Sequence, residues 1–180
     1  DVIDRIDQHV ERAKTVTHRM LGFGRRMEPM QEDLNLNMLV DQTLKFFETE
    51  AVHRNITIAR CYEPDLPTVT TDASQLQQVI LNVIDNGLDA IDHDGTLTLV
   101  SGKTPDQREV FVSITDSGPG IPPERLKMIF DPFFTTKKVG EGTGLGLSIV
   151  YSILEKLGGR IDATSTLGKG STFTIHLPAQ

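Results

Sequence analysis

The sequence predicts an α+β fold, in which helices are segregated from an antiparallel or mixed sheet. Residues 96–103 and 109–116 alternate between apolar and polar side chains, which indicates two neighbouring strands joined by a short turn. Before them, residues 72–91 repeat apolar side chains on one helical face. After them, residues 159–166 and 170–178 are typical of a closing β-hairpin.

The composition restricts the class of protein. The chain has 180 residues, of which 38% are hydrophobic and 24% charged, so it can form one domain with a sizeable core. A net charge of -7 without a basic run argues against nucleic acid or an anionic membrane as the main partner. The single cysteine fits a reducing compartment, and no apolar run approaches the ~20 residues of a membrane span. We expect a cytoplasmic segment of a longer protein, and this expectation is compatible with a membrane anchor elsewhere in that protein.

Residues 1–28 predict a helix that packs against a partner helix. Eight positions from Ile3 to Met27 follow a strict 3-4 spacing, and six of them are apolar. A helix lying on its own domain is the alternative interpretation. Pro29 ends the pattern, so we assign residues 29–36 to a linker and 37–180 to the following domain.

The first half of this domain has mixed patterns. Residues 38–55 have the apolar spacing of a helix, for which Asn35 or Asn37 is a suitable N-cap. Residues 56–62 alternate as a strand does, and residues 63–71 are predicted to form a loop.

The two best-defined helices have recognisable ends. Asp72 and Gln75 have the spacing of a capping box at the start of the 72–91 helix. A short helix is expected after Pro122, and residues 145–159 predict a helix that ends at Gly158.

A run of alternating glycines, Gly140, Gly142, Gly144 and Gly146, leads into the last helix. Glycine lets a ligand approach the backbone, and a helix N-terminus favours phosphate. The pattern is neither a P-loop, which requires G-x-x-x-x-G-K-[ST], nor a dinucleotide fingerprint, because no apolar strand runs directly into it. A flexible surface loop would explain the same residues.

Polar residues on the central helix indicate a metal or phosphate site. Asn82, Asn86 and Asp89 follow one another at spacings of four and three, on one helical face. Amides on an otherwise apolar helix need partners, which Mg²⁺ and phosphate oxygens can supply. The alternative is a polar outer face.

Two loops add further candidates. Asp116 can accept a hydrogen bond from an exocyclic amine, while Gly118 and Gly120 leave room for a ring; a type II turn without a ligand has the same residues. Beyond two adjacent phenylalanines, Lys137 and Lys138 can balance phosphate charge, although lysines on a solvated surface would look the same.

In this order, the motifs resemble the ATP-binding domain of bacterial sensor histidine kinases, within the Bergerat-fold ATPase superfamily. The five boxes of that domain, in chain order, are matched by NVIDNGLDA, DSGPG, FDPFF, GTGLGL and GKGSTF. The likeness extends over about residues 34–178, and the short lid is similar to the nitrogen-regulator kinase type. It implies a two-layer α/β sandwich with a mixed sheet and helices on one face. It also implies that residues 1–28 are the second helix of a dimerisation hairpin.

The resemblance implies Mg-ATP as the ligand. Asn86 would coordinate Mg²⁺ with Asn82 as its companion, Lys137 would close over the phosphates, and Asp116 would bind the adenine amine. The catalytic residues would be Asn82 and Asn86 on the helix and Lys137 in the lid. The other residues implied at the nucleotide are Asp89, Gly118, Gly120, Phe133, Phe134, Gly142, Thr143, Gly144, Leu145, Gly146, Ser171 and Thr172.

Within that set, Phe133 and Phe134 are expected to anchor the lid. Ser171 and Thr172 are expected to line the floor near the base.

Position 82 indicates the reaction type. Hydrolysing members of the superfamily carry a glutamate there to activate water, whereas the amide of Asn82 cannot act as a general base. The resemblance therefore implies phosphoryl transfer, which depends on positioning and charge neutralisation. An ATP-hydrolysing conformational switch, a serine kinase acting on a partner protein, and a non-catalytic dimer or docking module are the alternatives.

The acceptor of the phosphoryl group is expected outside this chain. Family acceptors lie in the context H-[ED]-x-x-[NT]-P, which none of the five histidines has: His9, His18, His53, His93 and His176. We therefore expect no self-phosphorylation. The implied partners are a response-regulator receiver domain and a second copy of the full protein, paired through the N-terminal helix.

Overall fold

The computed structural model describes residues 31–137 and 142–179. The strands in these ranges are β1 (Gln31–Leu34), β2 (Ile56–Tyr62), β3 (Val69–Asp72), β4 (Gly95–Lys103), β5 (Glu109–Asp116), β6 (Arg160–Thr166) and β7 (Gly170–Pro178). The helices are α1 (Leu36–Leu44), α2 (Glu48–His53), α3 (Ala73–Ile91), α4 (Pro123–Leu126) and α5 (Gly146–Lys156). None of these helices has the length and apolar character needed to cross a membrane. The predicted helix over 1–28, Lys138 and Gly140 lie outside the described residues.

Five strands form a mixed sheet in the order β2-β4-β5-β7-β6. Strand β2 runs parallel to β4, and the remaining neighbours are antiparallel. The predicted strand pair is β4 and β5, with Leu99 opposite Ile114. The predicted closing hairpin is β6 and β7, with Ile161 opposite Ile175. Both predictions are confirmed.

Helices cover one face of this sheet. Along β5, Val110, Val112 and Ile114 are buried, whereas the residues between them are only partly buried. Helix α3 packs against β4 and β5 and buries its apolar stripe there, including Val83 and Ile84. The core therefore lies between the helices and one sheet face. This two-layer arrangement confirms the predicted α+β sandwich.

The start of α3 is determined by Asp72. Its Oδ1 accepts from the backbone N–H groups of Ser74 at 2.9 Å and Gln75 at 3.0 Å, which satisfies two otherwise unpaired donors. The Gln75 side chain differs from the predicted capping box, because its amide donates to the Asp72 carboxylate at 3.0 Å. Hydrogen bonds to the ionised carboxylate outweigh its partial burial and lower the pKa of Asp72.

Three predictions for the first third of the domain are wrong. Residues 31–34, assigned to the linker, form β1, and part of the predicted 63–71 loop forms β3, which pairs antiparallel with β1. The helix predicted over 38–55 is two helices, α1 capped by Asn35 and a separate α2. The chain turns between them, where Phe47 is buried.

The open face of the sheet carries a charged cluster around His176. The imidazole Nε2 lies 3.2 Å from Asp162 Oδ2, and Nδ1 lies 3.5 Å from Glu109 Oε2. The His176 side chain is only 12% exposed. Arg160 also contacts Glu109. Burial, and after it the Arg160 charge, lower the pKa of His176, although both carboxylates act in the opposite direction.

We expect His176→Gln to flatten the loss of stability on acidification. With its pKa lowered in the folded state, the imidazole binds its proton more readily in the unfolded chain. The stabilisation is therefore present above the unfolded pKa of about 6.5 and is lost as the pH falls through the folded value. Urea unfolding at pH 7.5 and 5.5 measures this. His93→Gln, at an imidazole with 61% side-chain exposure, is the control, and an unchanged pH dependence in His176→Gln would contradict the assignment.

Candidate active site

Asn86 lies at the centre of the predicted site, on the half-buried side of α3. Its Nδ2 lies 3.8 Å from the point where a Cβ on Gly146 would be, so the amide faces the first residue of α5. Leu145, the N-cap residue of α5, makes no side-chain capping hydrogen bond. The first N–H groups of the helix and the positive end of its dipole are thus directed toward the Asn86 side of the site, an arrangement that favours an anion.

Asp116 packs against α3 at the residue that follows Asn86. A Cβ on that residue, Gly87, would lie 3.8 Å from Asp116 Cβ and 2.8 Å from Leu97 Cδ1. This close packing joins the end of β5 to the C-terminal half of α3. Consecutive residues of α3 thus face the start of α5 and contact Asp116.

The Asp116 carboxylate is held in a desolvated position, with the residue 3% exposed. Oδ1 accepts from the N–H of Gly118 at 2.9 Å. Burial raises the pKa of Asp116, while hydrogen bonds from the N–H groups of Gly118 and Ser171 oppose the rise. A buried carboxylate with unused acceptor capacity can take a hydrogen bond from an amine.

The loop after Asp116 packs against the turn between β6 and β7. Gly120 has φ +74°, and a Cβ there would lie 2.3 Å from the carbonyl oxygen of Thr166, so only glycine fits. The N–H of Gly168 donates to the carbonyl of Pro119 at 2.8 Å. The two glycine-containing motifs, far apart in sequence, form one wall of the site.

The predicted floor residues lie on different faces of the sheet. Ser171 is buried opposite Asp116 in the β5–β7 register. Thr172, the next residue, lies opposite Thr115, and the two hydroxyls are 2.9 Å apart on the open face. Successive strand residues point to opposite faces, so Ser171 joins Asp116 and the side chain of Thr172 does not.

Of the two adjacent phenylalanines, one packs in the core and the other does not. Phe134 is partly buried against the core, whereas Phe133 is 74% exposed. Gly144, with φ +65°, lies directly against the backbone of Phe133. A Cβ on Gly144 would lie 2.5 Å from the carbonyl carbon of Phe133. Only Phe134 thus anchors the chain in the predicted way, and Phe133 contributes its backbone as a support for the lid glycine.

The lid lysine contacts the central helix. The Lys137 ammonium forms an ion pair with Asp89, and Arg54 Nη1 lies 3.7 Å from the same carboxylate. Lys137 also lies against Gly142, where a Cβ would be 3.0 Å from its Cδ. Asp89 therefore pairs with two cations in this structure, whereas the resemblance implies that it lies at the nucleotide.

The remaining predicted residues lie around the start of α5. Thr143 is exposed, and its hydroxyl is 3.4 Å from the N–H of Leu145, the N-cap residue. Asn82, one turn before Asn86 on α3, is half-buried.

The acidic and imidazole side chains do not form a ready-made metal cage. Among residues 31–137 and 142–179, no group of three or more His, Cys, Asp or Glu side chains could hold a metal ion. Mg²⁺ usually takes one or two protein oxygens and completes its shell with water and substrate phosphates. A single amide, Asn86, beside an anion-favouring helix end fits that mode of binding.

Known proteins are similar to this chain in sequence and in fold. Residues 71–180 match the family model described as histidine kinase-, DNA gyrase B-, and HSP90-like ATPase. The chain is 37% identical over 190 residues to the sensor kinase CckA of Brucella abortus (strain 2308), covering 98% of this chain and 20% of CckA. The chain spans only part of such relatives: 20% of CckA, and 51% of the sensory histidine kinase/phosphatase NtrB of Vibrio alginolyticus.

Solved structures show the same fold. The catalytic domain of histidine kinase ThkA is 33% identical with a TM-score of 0.75, and the match covers 83% of this chain and 96% of that domain. A structure of ThkA in complex with the response regulator protein TrrA is 28% identical, with a TM-score of 0.75. That match covers 99% of this chain and 50% of the ThkA chain.

Proposed function

Because the chain belongs to the histidine kinase-, DNA gyrase B- and HSP90-like ATPase family, as the ATP-binding domain of a sensor histidine kinase, we propose that it transfers the γ-phosphoryl group of Mg-ATP to a histidine on a helical hairpin outside this chain. The observation that carries the proposal is the position of Asn86, whose amide faces the uncapped start of α5 while the next residue of its helix packs against the buried Asp116.

The base end of the proposed site is Asp116 with its surroundings. The desolvated carboxylate accepts a hydrogen bond from the exocyclic amine of adenine. Gly118 and Gly120 keep the adjacent loop close to α3 and to the β6–β7 turn. Guanine presents a carbonyl oxygen at that position, which a carboxylate repels. Asp116 therefore selects adenine.

The phosphate end combines Asn86, the start of α5 and Lys137. Mg²⁺, when bound, neutralises phosphate charge and orients the phosphate oxygens. Asn86 would supply an oxygen ligand to the metal, and the N–H groups at the start of α5 would donate hydrogen bonds to phosphate oxygens. Lys137 exchanges its ion pair with Asp89 for the triphosphate, so Asp89 acts through Lys137 rather than on the nucleotide.

Asn82 distinguishes transfer from hydrolysis. It lies one turn from Asn86 on α3, where it can contact the phosphates or a bound water, yet an amide cannot remove a proton from that water. The γ-phosphoryl group therefore persists until another nucleophile reaches it. This favours a kinase over the ATP-hydrolysing alternative.

The partners follow from the relatives. The ThkA structure contains a response regulator, and we propose a receiver aspartate of that class as the final acceptor for this protein also. Residues 1–28, with their 3-4 apolar spacing, are proposed as the dimerisation helix of the full protein.

Three measurements separate the kinase from the hydrolysing switch and from the docking module. We expect the chain to bind Mg-ATP by calorimetry, to release inorganic phosphate at no more than the spontaneous rate, and to take up no acid-labile label from [γ-³²P]ATP. Sustained turnover would support the hydrolysing switch, and label on His9 or His18 would contradict an acceptor outside the chain. A folded chain that does not bind ATP would be a docking module.

A further inference from the structure

Ser165 makes an unusual set of contacts for a strand hydroxyl. Its Oγ accepts from the N–H of Ile121 at 2.7 Å and donates to the carbonyl of Gly170 at 2.9 Å. It also lies 3.0 Å from the hydroxyl oxygen of Ser171. A serine hydroxyl offers one donor and two acceptor sites, so these three contacts use its full capacity.

The three partners belong to three parts of one wall. Ile121 ends the loop that follows Asp116, Gly170 begins β7, and Ser171 lies opposite Asp116 in the sheet. The other bonds between this loop and the β6–β7 turn, such as that from Gly168 to Pro119, join backbone groups. Ser165 is thus the side-chain bridge between the loop and the turn.

Ser165 also holds the groups that surround the Asp116 carboxylate. Its own proton goes to the carbonyl of Gly170, so the Ser171 hydroxyl is the donor in the contact between the two serines. Asp116 lies opposite Ser171 in the sheet, and its Oδ1 accepts from the N–H of Gly118, in the loop that Ser165 bonds at Ile121. Ser165 therefore fixes both neighbours of the carboxylate, the loop and Ser171.

We infer that Ser165 is a positioning residue for adenine recognition, acting through Ser171 and the 117–121 loop on the carboxylate of Asp116. The inference rests on the proposed ATP site. The family motifs do not include Ser165, which lies on β6, five residues before β7 begins at Gly170. Only the register of β6 against β7, with Ser165 opposite Ser171, brings it to the site.

The test compares two triphosphates that differ in the group that Asp116 binds. ATP carries the exocyclic amine, and purine riboside 5′-triphosphate lacks it. We expect Ser165→Ala to weaken Mg-ATP binding by on the order of five- to tenfold, and to leave the Mg complex of the purine analogue nearly unchanged. Calorimetric titration of both ligands gives the ratio of their dissociation constants.

Three further variants make the test specific. Thr164→Ala removes a hydroxyl from the exposed side of the same strand and should leave both affinities unchanged. Ser165→Thr keeps a hydroxyl and should restore the preference for ATP. Ser165→Cys, which is close in size to serine but bonds more weakly, should lower the preference as alanine does, and it serves if the alanine variant does not fold. Thermal melting without nucleotide checks that each variant is folded.

Equal loss of affinity for both triphosphates would overturn the inference, because it would indicate a general loss of structure. Unchanged ATP affinity in Ser165→Ala would overturn it too. In both cases the unaltered chain still binds ATP and the proposed function stands. If the unaltered chain does not bind ATP, the proposed function fails, and the inference fails with it.

Discussion

Replacing Asp116 with asparagine is expected to weaken ATP binding by about 1.5 to 3 kcal/mol, which corresponds to roughly a 10- to 150-fold higher Kd. The carboxylate is desolvated, so a hydrogen bond from the adenine amine is a charge-assisted bond in a region of low dielectric. Asparagine keeps the shape but loses the charge, and its amide nitrogen is a donor facing a donor. Calorimetry with Mg-ATP measures the effect.

The pH profile of the same titration tests the cause. Burial raises the pKa of Asp116, so the carboxyl becomes protonated on acidification sooner than an ordinary aspartate. ATP affinity should therefore fall as the pH decreases toward that raised pKa, and Asp116→Asn should show a smaller fall. In the nucleotide-free protein the sign for stability is opposite: ionisation of the buried group lowers stability as the pH rises through the folded pKa.

A charge-matched control separates this role from net charge. Asp65→Asn removes the same charge from an exposed loop residue and should leave ATP affinity unchanged. If Asp116→Asn binds ATP as tightly as the unaltered chain, Asp116 does not receive the adenine amine.

Replacing Asn86 with alanine is expected to remove the magnesium dependence of ATP binding. In the unaltered chain, chelation of Mg²⁺ should weaken binding, because the metal links the triphosphate to the Asn86 oxygen. Without that oxygen, ATP should bind equally with and without Mg²⁺, and at least about tenfold more weakly than to the unaltered chain with Mg²⁺. Titrations with added Mg²⁺ and with a chelator measure both quantities.

Gln78→Ala provides the matched control for Asn86. Gln78 is another half-buried amide on α3, two turns before Asn86, and its loss should leave the magnesium dependence intact. Magnesium-dependent binding that persists in Asn86→Ala would assign the metal to another ligand. Because Asn86 lies outside the apolar stripe of α3, both variants should melt close to the unaltered chain.

The sequence predicted most of the fold because most of its elements carry local signals. Helix α3 has both an N-cap at Asp72 and a repeated apolar face, and β5 alternates along its length. Strands β1 and β3 were missed because four residues are too few to show a period. The break between α1 and α2 carries no glycine or proline; burial of Phe47 against the core decides it.

The candidate site was predicted in part for the same reason. Asn86 and Asp116 belong to sequence motifs, and α3 packs against Asp116 at the residue after Asn86. Thr172 and Phe133 also belong to motifs, yet one points to the opposite sheet face and the other to solvent. A motif identifies residues by their order in the chain. The sheet and the positive φ at Phe133 determine which of their side chains point toward the site.

By itself, the sequence determined the fold class, the order of its main helices and strands, and the family, because periodicity, caps and motifs are properties of neighbouring residues. Only the tertiary structure decided the parallel pairing of β2 with β4 and the ion pair of Lys137 with Asp89. It also brought the hydroxyl of Ser165 to the N–H of Ile121, 44 positions away. Such contacts depend on strand register and on the packing of helices against the sheet, and no local pattern contains that information.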